Sequence, residues 1–419
     1  MTWRTSTLGE IVRESGGLIQ SGPFGSQLHQ ADYVTDGVPA IMPKDIAAGE
    51  VDERTVARVS ESTADRLRRH RLSPGAIVLP RRGDVSKRAF IREEQSGWLC
   101  GTGCLQVGLS GREVLPEFLY YYMELPAATQ WLEQNAVGST MLNLSASIVS
   151  KLPVRFPSLT TQRRISTLLR TFDDLVANNR RRMALHEEAA RQLFREWFVR
   201  LRFPGHEHTA VRSGVPSGWS LLPLSALCLG GIGIQTGPFG SQLHQSDYTD
   251  EGVPVVMPKD IARLRIDTDS TARISSDLAS RLCRHRLEVG DTVYGRRGDI
   301  GRRAYVGPRQ AGALCGTGCL RLRPDPVAVS PIFFFDALGS PDTAGTIANR
   351  AKGATMPNLN ATVLRSVPVL VPTRSLQDLY AEHVETMMKM TDVLEQQSDR
   401  LKAARDLLLP RLMSGNLAL

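Results

Sequence analysis

Two long stretches of the chain carry apolar residues at alternating steps of three and four, the spacing of one helix face. The first, residues 160–198, contains neither Gly nor Pro, and Thr160 or Thr161 can cap its start. Polar residues take two positions along the stripe, Asn179 and His186. The spacing predicts a helix of roughly 35 residues, about 50 Å long. Its apolar positions are Ile165, Leu169, Phe172, Val176, Met183, Ala190, Leu193 and Trp197.

The second stretch follows Pro372 and runs to about Leu412, where Pro410 and Gly415 mark its end. We expect the two helices to pack on each other as an antiparallel pair, because only the first turns of each can reach back to the preceding domain. The alternative is that each helix packs only on its own domain. The second stripe consists of Leu376, Leu379, His383, Met387, Met390, Leu394, Gln397, Leu401, Ala404 and Leu408.

The segments before the two helices have a different composition. They are rich in Gly and Pro, and short runs of β-forming residues, such as 75–80 and 105–109, alternate with turn signals. Residues 115–134 favour a helix in spite of Pro126. The pattern therefore predicts mixed α/β domains with many loops.

The chain contains the same domain twice. Residues 21–46 and 236–261 are identical at 19 of 26 positions, at an offset of 215 residues. The offset persists without an insertion through later segments. A period of this length is far too long for a solenoid repeat, so it indicates a duplicated domain. Matching segments are Arg81–Asp84 with Arg296–Asp299, Cys100–Cys104 with Cys315–Cys319, and Thr140–Met141 with Thr355–Met356.

These elements predict an α+β fold with two similar mixed α/β domains, each followed by a long helix. The two helices are expected to pack as an antiparallel coiled coil with pseudo-twofold symmetry. The expected boundaries are 1–157 for the first domain, 158–203 for the first helix, 204–218 for a linker, 219–372 for the second domain and 373–419 for the second helix.

Composition narrows the class of protein. The chain of 419 residues is 42% hydrophobic and 22% charged, as is typical of a soluble globular protein. It has no apolar run near 18 residues and no apolar signal segment at its start, so we expect no membrane span and a cytoplasmic location. The formal net charge of +8 favours a polyanionic partner, most simply nucleic acid, although basic proteins without such a partner exist.

The sequence shows no convincing catalytic motif. It contains no phosphate-binding G-x-x-x-x-G-K-[ST] loop and no Asn/Asp-Pro-Pro-aromatic segment of the kind expected in amino-directed methyltransferases. Ser26, His29 and Asp32 lie close together, but this spacing does not specify a triad. The two Cys-x-x-x-Cys pairs fit buried thiols better than a zinc site. We therefore predict no catalytic and no metal-ligating residues.

Basic residues recur at matching places in both domains and predict DNA contacts. Arg and Lys neutralise phosphates, and Arg, Gln and His also hydrogen-bond to base edges. The alternative for a cluster such as Arg66–Arg71 is a solvated helix face. The candidate DNA-binding residues are Gln27, His29, Lys44, Arg69, Arg81, Arg82, Lys87, Arg88, Gln242, His244, Lys259, Arg284, Arg296, Arg297, Arg302 and Arg303.

The layout resembles the specificity subunit of type I restriction-modification systems over essentially the whole chain. Shared features are the paired target-recognition domains, each followed by a long helix, and short motifs in a doubled order. Those motifs are Gly22–Ser26, Met42–Ile46, Arg81–Asp84, Gly101–Gly103 and Gly138–Asn143, with their second copies.

The resemblance implies a role without catalysis. Each recognition domain would read one half of a bipartite target in double-stranded DNA, and the helices would set the unread gap. The helices would also dock two methyltransferase subunits, which bring S-adenosylmethionine, while restriction subunits would bring ATP and Mg²⁺. This chain would bind no cofactor itself. Because its two domains are unusually alike, we expect a nearly palindromic split target.

Two other classes of protein are compatible with the sequence. One is a stand-alone nuclease or methyltransferase with an unrecognised active site. The other is a bivalent DNA-binding regulator without enzyme partners. Turnover by the purified chain alone would favour the first of these.

Overall fold

The computed structural model describes residues 3–47, 49–138, 142–238, 242–262, 264–267, 271–297, 300–351 and 359–417. We call residues 3–157 the first repeat and residues 219–372 the second repeat. Several residues that the sequence pairs across the two copies lie outside the described residues, namely Thr140, Met141, Gly298, Asp299, Thr355 and Met356.

Two four-stranded sheets form the centre of the first repeat. One has the strand order Leu99–Cys100, Val38–Ile41, Ala57–Val59, Tyr33–Val34, and the other has the order Leu18–Ser21, Cys104–Gly108, Ile77–Pro80, Ala89–Phe90. Two-stranded pairs join Arg4–Thr7 to Pro153–Phe156 and Ile46–Ala47 to Glu50–Val51. The helices are Leu8–Ser15, Glu61–Arg66, Pro116–Tyr122, Pro126–Asn135 and Ala146–Val149, with 3₁₀ turns at Gln30–Asp32, Pro43–Asp45, Arg68–His70 and Glu93–Gln95.

The second repeat has the same strand orders. Its sheets are Leu314–Cys315, Val253–Val256, Arg273–Ile274, Tyr248–Thr249 and Ile234–Thr236, Cys319–Leu322, Thr292–Gly295, Arg303–Tyr305. Two-stranded pairs join Ser220–Pro223 to Pro368–Val371 and Ile261–Ala262 to Arg265–Ile266. The helices are Leu224–Leu227, Ser276–Arg281, Pro331–Ala337, Pro341–Arg350 and Ala361–Arg365, with 3₁₀ turns at Gln245–Asp247, Pro258–Asp260 and Cys283–His285.

The register of one parallel strand pair shows that the duplication extends to the fold. Leu99 pairs with Ala40 in the first repeat, and Leu314 pairs with Val255 in the second. These are the positions that the 215-residue offset predicts, and all four side chains are buried. The prediction of two similar mixed α/β domains is confirmed.

The prediction of a single helix over residues 115–134 is wrong. Two helices, Pro116–Tyr122 and Pro126–Asn135, take its place. Proline lacks the N–H that a helix interior needs but fits the first helical turn, so Pro126 starts a new helix. The second repeat has the same break before Pro341.

The two long helices form where the apolar stripes predict them. They cover Leu159–Phe194, which is followed by a short π-type turn, and Arg374–Ser414. The first helix starts before the predicted caps, and the Ser158 hydroxyl accepts the Thr161 N–H (3.5 Å). Pro410 lies inside the last turns of the second helix rather than at its end. Between the helix and the second repeat lie the π-type turn Arg195–Val199, the 3₁₀ turn His206–His208 and the paired strands Val211–Arg212 and Val215–Pro216.

The chain divides into two compact units, and each holds one repeat and parts of both long helices. The first unit is Met1–Asn179 with Gln396–Leu419, and the second is Arg180–Glu395. Each long helix therefore contributes one part to each unit.

In the first unit, the early part of the first long helix packs beside the late part of the second. Ile165 and Leu169 belong to the same apolar core as Leu412. Asp173 pairs with Arg405 at 2.6 Å. Residues later in the first helix therefore contact residues earlier in the second, so these helix segments run antiparallel.

In the second unit, the later part of the first long helix packs beside the early part of the second. Arg265 of the second repeat pairs with both Glu187 (2.8 Å) and Glu395 (3.4 Å), one on each helix. Further along the first helix, the ring of Phe194 lies 5.9 Å from that of Tyr380. The segments again run antiparallel, so the predicted antiparallel pairing is confirmed within each unit.

The predicted stripe of the second long helix is wrong in part. His383 and Gln397 are exposed, and Met390 is 39% exposed. The sequence pattern misses the true stripe because Thr391 and Ser398 are small polar residues, which fit between packed helices but carry no apolar signal. The buried residues of this helix are Leu376, Gln377, Tyr380, Val384, Thr391, Leu394, Ser398, Leu409, Leu412 and Met413.

A buried glutamine fixes the start of each long helix. The side-chain oxygen of Gln162 accepts the Leu115 N–H (2.8 Å), and its amide donates to the Pro157 oxygen (2.8 Å). Gln377 makes the two matching bonds, both at 2.9 Å, in the second repeat. Each glutamine therefore ties the first turn of a long helix to the repeat before it.

Replacing Gln162 with Ala should lower the free energy of unfolding by about 1–3 kcal/mol, because a half-buried N–H and a buried carbonyl lose their hydrogen-bond partner. Denaturant unfolding of the full chain measures this change. The matched control is Gln192→Ala, because Gln192 is exposed on the same helix and bonds to Glu188 at 2.6 Å. The control should stay within about 0.5 kcal/mol of the unchanged chain. Equal losses in the two variants would contradict the role of Gln162.

Candidate nucleic-acid interface

The duplicated loop at residues 22–32 begins with a glycine that lies in close contact with the backbone of another segment. A Cβ at Gly22 would lie 2.1 Å from the Gly101 oxygen, and a Cβ at Gly237 would lie 2.0 Å from the Gly316 oxygen. Only glycine allows such an approach. The contact therefore fixes the base of the loop against the Cys-Gly-Thr-Gly-Cys turn in each repeat.

A short turn beside this contact presents Lys44 to solvent. The turn Pro43–Asp45 is held by the buried carboxylate of Asp45, which accepts the Met42 N–H at 2.8 Å. The second repeat holds the exposed Lys259 by the matching bond, also at 2.8 Å. A buried acid therefore fixes the backbone that carries an exposed base in each repeat.

Arg81 and an exposed aromatic ring form the next part of this surface. The backbone N–H of Arg81 donates to the backbone oxygen of Gly103 (2.7 Å). The side-chain Nε–H of Arg81 donates to the backbone oxygen of Leu144 (3.2 Å). Its guanidinium lies 5.6 Å from the centre of the Phe24 ring, which is 59% exposed. Arg82 is exposed beside it. Phe24 is not among the predicted DNA-binding residues, although an aromatic residue in the repeated Gly-Pro-Phe-Gly segment is a usable signal.

Two further arginines contact the same loop. Arg66 Nη1 donates to the backbone oxygen of Gln27 (2.8 Å), and Arg69 Nη2 approaches the Gln27 side-chain oxygen at 3.4 Å. Lys44 is included because the preceding residue, Pro43, packs against Gly103. The Gly103 oxygen in turn accepts the backbone N–H of Arg81. We call the following set the basic loop cluster: Phe24, Gln27, Lys44, Arg66, Arg69, Arg81 and Arg82. It brings five of the predicted DNA-binding residues of the first repeat onto one loop surface.

A buried histidine lies behind Arg69. The Arg69 Nε–H donates to Nε2 of His70 (3.0 Å), and His70 is only 2% exposed. Burial lowers the pKa of His70 and the charge of Arg69 lowers it further, so the neutral ring keeps Nε2 as an acceptor. In the second repeat, Arg284 makes the same 3.0 Å bond to His285, and burial lowers the pKa of His285 to about 4.

The second repeat carries matching cations. The Arg296 N–H donates to the Gly318 oxygen (2.9 Å), and Arg297 is exposed beside it. Burial lowers the pKa of Arg296, and the charge of Arg297 lowers it further. Gln242, at the place of Gln27, is half-buried.

Four other predicted residues also reach the surface. His29, Lys87, His244 and Arg302 are exposed. The Lys87 ammonium lies 4.0 Å from Asp84, and Arg302 Nη1 approaches the Pro258 oxygen at 3.5 Å. Their contact with DNA stays a prediction.

Arg88 and Arg303 are placed inside their repeats rather than on the surface. The Arg88 side chain is 12% exposed, donates to the Met123 oxygen and pairs with Glu124 at 3.8 Å. Arg303 donates to the Phe335 oxygen (3.1 Å) and lies 5.1 Å from the centre of its ring. Burial lowers the pKa of both arginines. This placement does not support the predicted DNA contacts, because either side chain would have to break internal bonds to reach DNA.

The cysteine pairs lie in the interior. Burial raises the pKa of Cys100 and of Cys315 to about 12, so these thiols behave as small apolar side chains. Over the residues that the structure describes, no group of three or more His, Cys, Asp or Glu side chains could hold a metal ion. In those same ranges, none of the helices combines the length and apolar character needed to cross a bilayer.

Comparison with known proteins relates the chain to DNA specificity subunits. The profile of the family described as "Type I restriction modification DNA specificity domain" matches residues 2–185. The chain is 21% identical to the specificity subunit of the type I restriction enzyme MjaIX of Methanocaldococcus jannaschii, over 99% of this chain and 93% of that protein. It is 20% identical to the specificity subunit of the type I restriction enzyme HindI of Haemophilus influenzae, over 78% of this chain and 83% of that protein.

A solved structure agrees at the level of the fold. The crystal structure of the type I restriction-modification S subunit from M. genitalium matches with a TM-score of 0.56 and 16% identity, over 98% of this chain and 96% of that one. The chain is therefore similar over nearly its whole length to type I restriction specificity subunits, and its residues 2–185 match the DNA specificity domain of that family.

The two repeats differ behind the basic surface. Arg321 is 3% exposed and donates to the backbone oxygens of Arg284 (2.9 Å), Arg286 (3.2 Å) and Ile232 (2.7 Å). The offset places Gln106 at this position in the first repeat, where its Nε2 has no hydrogen-bond partner within the described residues. The turn that carries Arg284 is therefore tied more firmly than its counterpart.

Removing exposed cations from the two repeats should weaken binding of the chain to any DNA sequence. Arg82→Ala and Arg297→Ala should each make the plot of log K against log salt less steep, by about one for each lost phosphate contact. Fluorescence anisotropy of the full chain with labelled duplexes at several salt concentrations measures this slope. Arg112→Ala is the control, because Arg112 is exposed outside the basic loop cluster. Unchanged slopes in both test variants would show that these arginines do not contact DNA phosphates.

Proposed function

We propose that this chain is a specificity subunit that recognises a bipartite DNA target, with one half read by each repeat. The observation that carries the proposal is the repetition of one surface on one backbone frame. Gly22 and Gly237 anchor the loops, and Lys44 and Lys259 are held beside them by buried acids. Base contacts need side chains at fixed positions, and a rigid loop frame supplies such positions.

Similarity to type I restriction specificity subunits favours a recognition component of a larger enzyme over an enzyme in its own right. Its relatives carry the description of specificity subunits over most of the chain length. The alternative of a stand-alone nuclease or methyltransferase is therefore not favoured. The bivalent regulator without enzyme partners is disfavoured for the same reason.

We infer that the long helices dock two methyltransferase subunits, which would bring S-adenosylmethionine, and that restriction subunits would bring ATP and Mg²⁺. Exposed apolar side chains on both helices support a protein partner, because a docked subunit would cover them. We place the assembled complex in the cytoplasm, together with its DNA. These apolar side chains are Leu175, Leu185, Val393 and Leu407, which are 44%, 69%, 47% and 65% exposed.

We further propose that the helices set the gap between the two half-sites. Half-sites on one face of DNA lie about 34–36 Å apart, one helical turn. The first long helix has 36 residues, which corresponds to about 54 Å. A helix of this length is long enough to separate two recognition surfaces by one turn of DNA.

The target should be a split and nearly palindromic sequence, because two similar readers related by a twofold axis read similar sequences on opposite strands. Co-expression with the methyltransferase subunit and genome-wide mapping of methylated adenines would reveal the target. Differences between the half-sites should follow the segments where the repeats diverge most, residues 48–56 against 263–271 and 86–99 against 301–314.

Two outcomes of this mapping would count against the account in different ways. Two unrelated half-sites would refute the near-palindrome while leaving bipartite recognition intact. A single continuous target, or no sequence-specific methylation by the assembled complex, would refute the proposed function itself.

A further inference from the structure

Resting on the proposed function, we propose that His70 and His285 are positioning residues, each of which orients an arginine to recognise a guanine in its half-site. The arginines are Arg69 and Arg284. Both arginines are exposed residues, and both histidines are 2% exposed. The same Nε–H to Nε2 bond of 3.0 Å occurs in each repeat.

The bond leaves the useful end of each arginine available for DNA. It engages Nε–H, so the two terminal NH₂ groups form the far edge of the planar guanidinium. Two parallel donors at a fixed spacing match the O6 and N7 acceptors of guanine in the major groove. A phosphate can also accept two parallel donors, but its attraction to a positive charge tolerates more guanidinium orientations than a base edge does. A buried side chain that fixes the plane therefore favours base recognition.

Contacts with the duplicated loop place Arg69 at the proposed interface. Its Nη2 lies 3.4 Å from the side-chain oxygen of Gln27, and the neighbouring Arg66 donates to the Gln27 backbone. The loop also carries Phe24, which stacks under Arg81. Arg69 is thus an exposed member of the basic loop cluster with a buried partner behind it.

Comparison of the two repeats distinguishes the Arg69–His70 pair from the neighbouring basic residues. Arg68 is replaced by Cys283 in the second repeat, whereas the Arg-His pair that follows is retained. Arg71 is also retained, but it pairs with Glu61 and Asp65 at 2.6 and 2.9 Å and so holds its own repeat together. The retained Arg-His pair has no such internal acid partner among the described residues of the first repeat.

The proposal can be tested in the complex assembled with methyltransferase subunits. The substrate is a DNA library randomised in both half-sites, and the readout is the sequence logo of methylated molecules. Arg69→Lys keeps the charge but loses the paired donors and the bond to His70. It should lower the preference for guanine at one position of one half-site by about tenfold to 100-fold. The other half-site, read by the second repeat, is the internal control.

The histidine variants test positioning rather than contact. His70→Leu removes the acceptor and should weaken discrimination at the same guanine as Arg69→Lys. His70→Gln offers a side-chain oxygen to the Arg69 Nε–H and should restore part of that discrimination. Thermal unfolding of each variant, together with an unchanged second half-site, shows that the fold is kept. Arg68→Ala, a change at the adjacent exposed arginine, should leave the logo unchanged.

The outcomes distinguish a failure of this inference from a failure of the proposed function. An unchanged logo in Arg69→Lys, with Arg69→Met weakening all sequences alike, would assign Arg69 to a phosphate and overturn the inference. Equal discrimination by His70→Leu and His70→Gln would also overturn it. A wild-type complex without any sequence preference would instead refute the proposed function, whatever the variants do.

Discussion

The structure depends on how the apolar stripes of the two long helices are covered. Neither stripe can be covered by its own repeat along its full length, because each helix continues far beyond the first turns that follow a repeat. In the first unit, Ile165 and Leu169 share a core with Leu412. In the second, Phe194 and Tyr380 belong to one core. Antiparallel packing of the helix segments within each unit solves the burial problem.

In the proposed recognition surface, buried groups hold the backbone in place and exposed groups are available to contact DNA. Glycine-to-backbone contacts hold the starts of the loops, and the buried acids Asp45 and Asp260 hold the turns beside them. The buried His70 and His285 each bond to an arginine. The groups that can meet DNA are exposed cations carried by those loops. This arrangement limits the conformational entropy that ordering would cost when DNA binds. It also explains how the two copies can differ behind the surface, as at Gln106 and Arg321, while they present similar cations.

The sequence was sufficient for the features that rest on periodicity and duplication. Both long helices, the two α/β repeats and the separation of the loop cations into matching sets could be predicted in this way. Features that rest on three-dimensional packing could not. Arg88 and Arg303 look like surface cations in sequence, but each lies against a backbone carbonyl inside its repeat. His70 looks like one member of a basic run, and only the structure shows that it is buried behind Arg69. The stripe of the second helix was partly misplaced because Thr391 and Ser398 are buried without being apolar.

The central proposal is that the helix pair sets the gap between the two half-sites that the repeats read. Matched insertions of four residues into both helices test it most directly, one after Asn178 and one between Glu395 and Gln396, near the boundary of the compact units. Four residues add about 6 Å to a helix, which corresponds to one or two base pairs at 3.4 Å each. Methylation of a library of targets with varied gaps should show the same half-sites separated by a gap that is longer by that amount. An unchanged gap with unchanged half-sites would contradict the account.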